Sequence, residues 1–409
     1  MASGADGVAV DGTEEFVKAN LQNPDPPVRV FFCCTGVGIL NRGIESFFRE
    51  AFDGLKDAPG LVATLIKGAE DRGRKSEVRG QGAEERVVWC LPRTGRAARW
   101  CGALIRRNGY VAEQLSSFPG VVREIRRLRP QVIFYSDANL GFQLFRWRQQ
   151  IGVPFRLLFS NGGPCRPPFE RRDFVHQVAP FYLEEALAGG ESPVKHFMIP
   201  YGIQVPDGAP DSDPAAKRAL REKLGLPLNR KVVLSVGWIA RQHKRMDYVI
   251  EEVARMPEPR PFLQLLGAMD EASPEVVALG HRLLGPENFS ARSVPYEKVV
   301  EYYRAADCFV LGSLKEGFGR VYLEALVQGL PTIGHQHPVI EYVLGDAGIT
   351  ADLSQPGNLT LVLNKTLTDL CPLTSVLASS RRESVRARFG WPVLAPQYVK
   401  MFQAAAWEQ

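Results

Sequence analysis

An α/β protein made of two doubly wound parallel-sheet halves is the fold class the sequence predicts. Three observations carry it. The chain has 409 residues, more than one hydrophobic core usually supports, since domains mostly run to about 100–200 residues. Apolar runs of strand length alternate with stretches of helical periodicity along most of it, the pattern of βα units around a parallel sheet. Between residues 200 and 226 that alternation is interrupted by PYGIQVPDGAPDSDPAAKRALREKLGL, a Pro- and Asp-rich segment entering one charged helix, as a linker into a new domain would.

Taken in order, residues 1–27 are rich in Gly, Asp and Pro without sustained periodicity and read as a flexible arm. Residues 28–34 (VRVFFCC) form an apolar strand, followed by a glycine turn and by GIESFFREAFDGL, whose Ile44, Phe47, Phe48, Ala51 and Phe52 recur at helical spacing. Strands at 132–135 and 155–159 and helices at 122–128 and 141–150 continue the first half, which is assigned to 28–205. The boundary falls near 205–229, and the second half, 206–390, restarts with strand 231–238, helix 246–255, strand 262–266, helix 274–284 and strand 288–294. Helix 296–306, strand 308–312, helix 320–328 and strand 332–334 complete it. The amphipathic stretch 391–409 follows a helix that starts near 373 and is expected to cross back onto the first half. Two such halves would face each other across a central cleft.

Composition narrows the function. With 45% apolar and 23% charged residues the chain can bury sizeable cores, which excludes a mostly disordered or fibrous protein. Fifty Lys and Arg against 45 Asp and Glu leave a net charge of +5, too small at this length to mark a nucleic-acid binder. There is no run of 18 apolar residues, and the first residues mix acids into any would-be apolar core, so a cytoplasmic location is expected. The seven cysteines are scattered and lack any CxxC, which points to reduced thiols.

The stretch ADCFVLGSLKEGFGRVYLEALVQGLP, residues 306–331, carries the most chemical information. A buried strand runs into a turn bearing Glu316, Gly317, Phe318 and Gly319, and a helix opens near Arg320 with Glu324 one turn in. Ligands of open α/β sheets bind beyond the carboxyl ends of strands, where a helix N-terminus offers unpaired N–H groups to phosphates. Two carboxylates beside such an anion site suit the hydroxyls of sugars; alone, an E-x7-E pair is equally a helix with acids near its first turn. A second strand end, followed by Trp238-Ile239-Ala240-Arg241-Gln242-His243-Lys244-Arg245, places cations where a diphosphate leaving group would sit.

Residues 287–332, with Y-R-A-A-D before E-G-F-G, a second Glu eight residues after the first, and G-L-P behind, closely resemble the donor-binding domain of glycosyltransferase family 4, whose fold is GT-B, two Rossmann-like domains around a cleft. The resemblance extends along the chain but is strong from about 234 to 349. It implies a retaining glycosyltransferase that moves a hexose-type sugar from a nucleoside diphosphate sugar to an acceptor hydroxyl, with uridine as the default base. It further implies that Glu324 bonds the ribose, that Glu316 with the Gly317, Phe318 and Gly319 backbone holds sugar and diphosphate, and that Arg241 and Lys244 bind the diphosphate. Trp238 stands where the family commonly has arginine, and one extra residue precedes Lys244. Arg292 and Val294 match the strand end at which the base is read largely by backbone groups. Neither metal nor cofactor is implied, the sugar nucleotide being a co-substrate.

The first half resembles the family's acceptor domain less closely. Gly36 and Gly38 lie in its glycine-rich first turn, where backbone N–H groups can approach the donor phosphates. Asn161 and Gly162 sit where relatives have a histidine-glycine pair facing the sugar. His176 and His335 are candidates for the acceptor and sugar pocket, against the plain readings of a core histidine and a polar loop. Asp211-Ser212-Asp213 has the form of a DxD metal motif, but it lies in the linker and reads as solvated acids. Residues 66–130 hold 15 Lys/Arg against 7 Asp/Glu; their basic 93–107 segment, around Trp100, suggests peripheral contact with an anionic membrane, the plainer alternative being a solvated face. The acceptor (lipid, polysaccharide or small natural product) is left open. Two rival functions are a nucleotide-sugar epimerase on the same scaffold and a non-enzymatic basic module that binds membrane or a partner.

Overall fold

The computed structural model describes residues 26–40, 42–69, 83–91, 95, 109–163, 165–208, 213–369 and 374–407. Nearly all of the N-terminal arm and of the basic 93–107 segment lies outside these residues, as do Asn41 of the first turn, Asp211 and Ser212.

The first half contains β1 (Val28–Cys33), α1 (Gly43–Leu55), β2 (Leu61–Ala69), β3 (Glu84–Trp89), α2 (Gly109–Leu128), β4 (Val132–Tyr135), α3 (Ala138–Arg146) and α4 (Arg148–Ile151), then β5 (Arg156–Asn161), β6 (Phe174–Gln177), α5 (Pro180–Ala188) and β7 (His196–Met198). Its seven strands are all parallel, in the order β3-β2-β1-β4-β5-β6-β7. The second half contains α6 (Pro214–Leu224), β8 (Val232–Val236), α7 (Met246–Ala254), β9 (Phe262–Leu266), α8 (Ser273–Leu284), β10 (Phe289–Arg292), α9 (Tyr296–Ala305) and β11 (Cys308–Val310), then α10 (Arg320–Val327), β12 (Thr332–His335), α11 (Pro338–Leu344), β13 (Ile349–Ala351), α12 (Asn358–Thr368) and α13 (Thr374–Phe389). Its six strands are again parallel, β10-β9-β8-β11-β12-β13. The doubly wound α/β architecture is therefore the expected one, built twice.

Alternation along β1 assigns its side chains to two cores. Phe31 and Cys33 face Val121 and Ile125 of α2 and Leu140 and Leu144 of α3, whereas Val30 and Phe32 face α1 and the last helix, α14 (Trp391–Trp407). On that second face Phe402 packs edge-on to Phe32 and Phe134 at 5.5 and 5.4 Å, a geometry that adds about 0.5–1.5 kcal/mol per pair beyond area burial. The chain reaches α14 beside the linker: Ile203 pairs with Gly390 in a parallel bridge, its N–H donating to the Phe389 carbonyl at 2.9 Å. Tyr201 and Phe318 meet edge to face at 5.2 Å, so the core on this side is continuous from one half to the other.

Two local expectations need correction. The helix expected from 122 starts at Gly109 and carries Pro119 in its interior; the stretch lacks clear periodicity because its buried positions include Glu113, Gln114 and Ser117, which are held by hydrogen bonds to Thr35, Asp137, Asn139 and the Gln114 carbonyl. The helix expected at 141–150 is two, α3 and α4, separated at Trp147 (φ −99°, ψ 11°). The stretch 173–176, open between helix and strand on sequence, is β6, and strands β2, β3, β7 and β13 were not anticipated. The last two are three residues long, too short for any periodicity to register.

Candidate active site

In each sheet the strand order reverses at one place, between β1 and β4 and between β8 and β11, and crevices open there at the carboxyl ends of the strands. In the second half that crevice joins the two motifs. The loop after β8 leaves through Gly237, and the aliphatic part of Lys244 lies over it: a Cβ there would stand 3.2 Å from Cδ and Cε. Lys244 Nζ then donates to Glu316 Oε1 of the β11 turn at 2.6 Å, the two side chains being only 18% and 7% exposed. Residues 72 positions apart are thus a desolvated ion pair, stronger than the same pair in water.

The opposite half closes on this turn through backbone. Tyr182 Oη of α5 donates to the Glu316 carbonyl at 2.9 Å. Gly317 lies so near the loop after β5 that a Cβ on it would fall 2.0 Å from the Gly162 carbonyl oxygen. Gly162 and Gly317 therefore face each other across the seam. Asn161 is committed to its own loop: its Nδ2 donates to Gln177 Oε1 (2.9 Å) and to the Cys165 carbonyl (3.2 Å), and its Oδ1 accepts the Gly163 N–H. Gly319 takes φ 80° and opens α10. The Phe318 ring is 3% exposed, packed edge-on to Tyr201 and Phe389, so this residue can meet a ligand only through its backbone.

Glu324 projects from α10 one turn on. Its oxygens accept the hydroxyls of Tyr296 and Tyr303, both at 3.1 Å. Burial pushes its carboxyl above the ordinary value, while the Arg320 guanidinium acts the other way. Each carboxylate oxygen keeps a second lone pair, so the arrangement leaves acceptor capacity for a vicinal diol.

Five of the expected site residues have partners outside the Lys244–Glu316 pair. Arg241 is exposed, with Glu275 of α8 as an ion-pair partner at 3.9 Å. The Arg292 side chain runs along its own strand to Ser290 Oγ (3.0 Å) and the Leu224 carbonyl (3.2 Å), and its carbonyl accepts the Gly267 N–H, while Val294 packs against the core. His176 is fully buried in β6, with Nδ1 at 3.1 Å from Ser160 Oγ and Nε2 at 2.7 Å from the Ile199 carbonyl. Burial lowers its pKa to about 4, so it is a neutral core histidine and lines no pocket. His335 accepts the Leu353 N–H through Nδ1 at 3.0 Å. Its neighbour His337 caps α11 and meets the Phe181 ring of the first half at 5.4 Å. Asp213 caps α6 through the Ala215 N–H at 2.9 Å.

The switch point of the first half holds a cluster that sequence reasoning missed. Asp137, at the residue before α3 but making no side-chain bond to that helix, accepts Tyr110 Oη (2.8 Å), Gln114 Nε2 (3.1 Å) and the Thr35 N–H (3.3 Å), and Thr35 Oγ1 donates to Glu113 Oε1 at 2.9 Å. Burial raises the Asp137 carboxyl, against the hydrogen bonds from Tyr110 and Thr35. This network fixes the glycine turn, in which a Cβ on Gly36 would stand 2.5 Å from Glu45 Oε1 and Gly38 takes φ 81°. The only sequence signal was an Asp just before a helical run, an ordinary N-cap.

Known proteins resemble this chain in sequence and in fold. Residues 216–369 match the family described as Glycosyl transferases group 1. The D-inositol 3-phosphate glycosyltransferase of Xylanimonas cellulosilytica is 29% identical over 216 residues, 51% of each chain. The mannosylfructose-phosphate synthase of Agrobacterium fabrum is 35% identical over 172 residues, 39% of this chain and 37% of that one. The chain spans about half the length of the curated relatives it matches. Among solved structures, Anabaena Alr3699/HepE in complex with UDP and glucose superposes with a TM-score of 0.70 at 14% identity, over 92% of this chain and 100% of that one. The sucrose-phosphate synthase of Thermosynechococcus elongatus gives 0.71 at 19%, over 92% and 98%. The fold is thus GT-B. The chain is a GT-B protein resembling glycosyltransferase family 4.

Proposed function

We propose that this chain is a retaining glycosyltransferase that moves a hexose-type sugar from a nucleoside diphosphate donor, uridine by default, to an acceptor hydroxyl. The observation that carries the reading is the Lys244–Glu316 pair at the β8/β11 switch point, roofed by the Gly162 loop of the other half. Stretching of the anomeric bond puts negative charge on the leaving diphosphate. Lys244, with ammonium donors beyond the one given to Glu316, and the backbone N–H groups opening α10 stabilise that charge without a metal ion or cofactor. Glu316 and Gly317–Gly319 hold the sugar and diphosphate, and Glu324 takes the ribose diol. No protein general base is assigned; the departing phosphate accepts the acceptor's proton on the same face.

UDP and UDP-glucose complexes of a GT-B neighbour support a sugar nucleotide as donor. The acceptor enters from the first half, and peripheral contact with an anionic membrane is part of the reading. It is supported by the exposed Arg123, Arg126, Arg127 and Arg129 of α2 and its end, which continue the basic stretch. No helix among the described residues is long and apolar enough to cross a membrane.

The test is calorimetric binding of UDP, GDP and ADP, followed by incubation with the matching sugar nucleotides and an acceptor panel, with the product's anomeric configuration read by NMR. Absence of both nucleotide binding and donor turnover would remove the proposal. Epimerised donor formed without any acceptor would favour the isomerase instead.

A further inference from the structure

We propose that Arg320 controls whether Glu324 is available to a nucleotide by exchanging carboxylate partners. Held by Glu50 of the first half when the two halves are together, it turns to Glu324, four residues along its own helix, when they part. The inference rests on the reading of Glu324 as the ribose carboxylate and adds what governs that group.

Arg320 occupies the first position of α10, yet its guanidinium leaves the donor half. Nη1 donates to the Gly202 carbonyl at 2.6 Å, and Nη2 is paired with Glu50 Oε1 of α1. The second oxygen of Glu50 accepts the Gln204 N–H at 3.1 Å, so the carboxylate is itself fixed. The arginine side chain is 4% exposed and that of Glu50 23%. Arg320 Nε is buried with no hydrogen-bond partner in the structure. Apart from Glu324, the rest of this helix, RVYLEALV, is uncharged, and its Tyr322, Leu323, Leu326 and Val327 are buried.

A guanidinium does not shed its proton, and a buried one without a carboxylate is strongly disfavoured. Separation of the halves removes Glu50, the one carboxylate paired with it, whereas Gly202 belongs to the linker, beside Ile203 and its hydrogen bond to Phe389. The nearest carboxylate left in the donor half is Glu324, at i+4 on the same face of the helix. The two already influence each other, since Arg320 is the leading influence that offsets the effect of burial on the Glu324 carboxyl. With Arg320 engaged by Glu50, each Glu324 oxygen carries one tyrosine hydroxyl and retains a lone pair for ribose. A forked pairing with Arg320 would consume those lone pairs. Closure and nucleotide binding are then linked, and each favours the other.

Arg320 is therefore a positioning residue, and its signature is a rescue. Whichever of UDP, GDP and ADP binds most tightly is titrated calorimetrically into the wild-type chain and the variants Glu50→Gln, Arg320→Met and Glu50→Gln/Arg320→Met. Glu50→Gln, which sends Arg320 to Glu324, is expected to weaken binding roughly fivefold or more. Arg320→Met is expected to stay within about twofold of wild type, and the double variant to recover that affinity because the competitor is gone. Wild-type affinity in Glu50→Gln, or a double variant no tighter than Glu50→Gln, would overturn the idea; a merely structural contact would give additive losses. Glu324→Ala separates the two layers. Unchanged affinity there sinks the ribose reading, whereas weakened binding in Glu324→Ala with none in Glu50→Gln sinks only the exchange.

Discussion

Gly317→Ala perturbs the seam between the halves at one methyl group. The added Cβ would stand 2.0 Å from the Gly162 carbonyl oxygen, and real Cβ contacts essentially never fall below 3.0 Å. The two backbones must therefore separate by at least 1.0 Å, with no flexible side chain to absorb the difference. The loop that must yield is held by Asn161, and the turn opposite it by the Tyr182 hydrogen bond, so the cost is borne by the halves as bodies. Misplacement by about 1 Å costs on the order of a hundredfold in rate. Because closure and nucleotide binding are linked, nucleotide affinity should fall together with kcat. The assay is steady-state donor turnover beside calorimetric nucleotide binding and a thermal melt, with Gly43→Ala as control, since nothing lies within 4 Å of a Cβ there. A kcat within twofold of wild type in a folded Gly317→Ala protein would refute the reasoning that this contact sets the closed geometry.

Other outcomes follow from the same coordinates. Lys244→Ala should lower kcat on the order of a hundredfold, whereas Arg241→Ala, removing an exposed side chain, should leave it within about threefold; equal losses would return Arg241 to the site. His176 has its pKa lowered to about 4, so between pH 4 and the ordinary value of about 6.5 the unfolded chain binds the proton and the folded chain does not. Its stabilising contribution, about 3 kcal/mol at most, is complete above pH ~6.5 and lost as pH falls towards 4. Urea melts of wild type and His176→Gln across that window should differ in slope, and parallel profiles would contradict the assignment. Asp307 accepts Lys217 Nζ (2.7 Å), Arg221 Nη2 (2.6 Å) and the Val232 N–H (2.7 Å). Burial works against its ionisation, but those two cations hold its carboxyl below the usual range. Asp307→Asn should destabilise the fold by about 3 kcal/mol at neutral pH, the difference shrinking as pH falls through the lowered value; chemical denaturation at pH 7 and pH 3 checks it.

What could be read along the chain was whatever depends on neighbours in sequence. The apolar run 28–34, the helical recurrence of Phe47, Phe48, Ala51 and Phe52, and the strand-turn-helix around Glu316 are local patterns, and each reappears as an element. The Pro/Asp-rich linker marked where one sheet gives way to the next for the same reason. What failed was local signal that buried polar side chains obscured, as in α2, or that was too brief to register, as in β7 and β13.

Side-chain direction, by contrast, was decided only by the assembled halves. Arg241 and Lys244 are three residues apart in one turn, and nothing in their chemistry says that one reaches Glu316 while the other faces solvent. His176 reads identically as pocket or core until β6 is seen between Ser160 and Ile199. The pairing of Arg320 with Glu50 joins residues 270 positions apart, and Thr35 finds Asp137 across 102. Hydrophobic periodicity encodes which face of an element is buried, because burial energy sums over that face. It does not encode which elements meet at a seam, because that depends on where two separately wound sheets come to rest against each other.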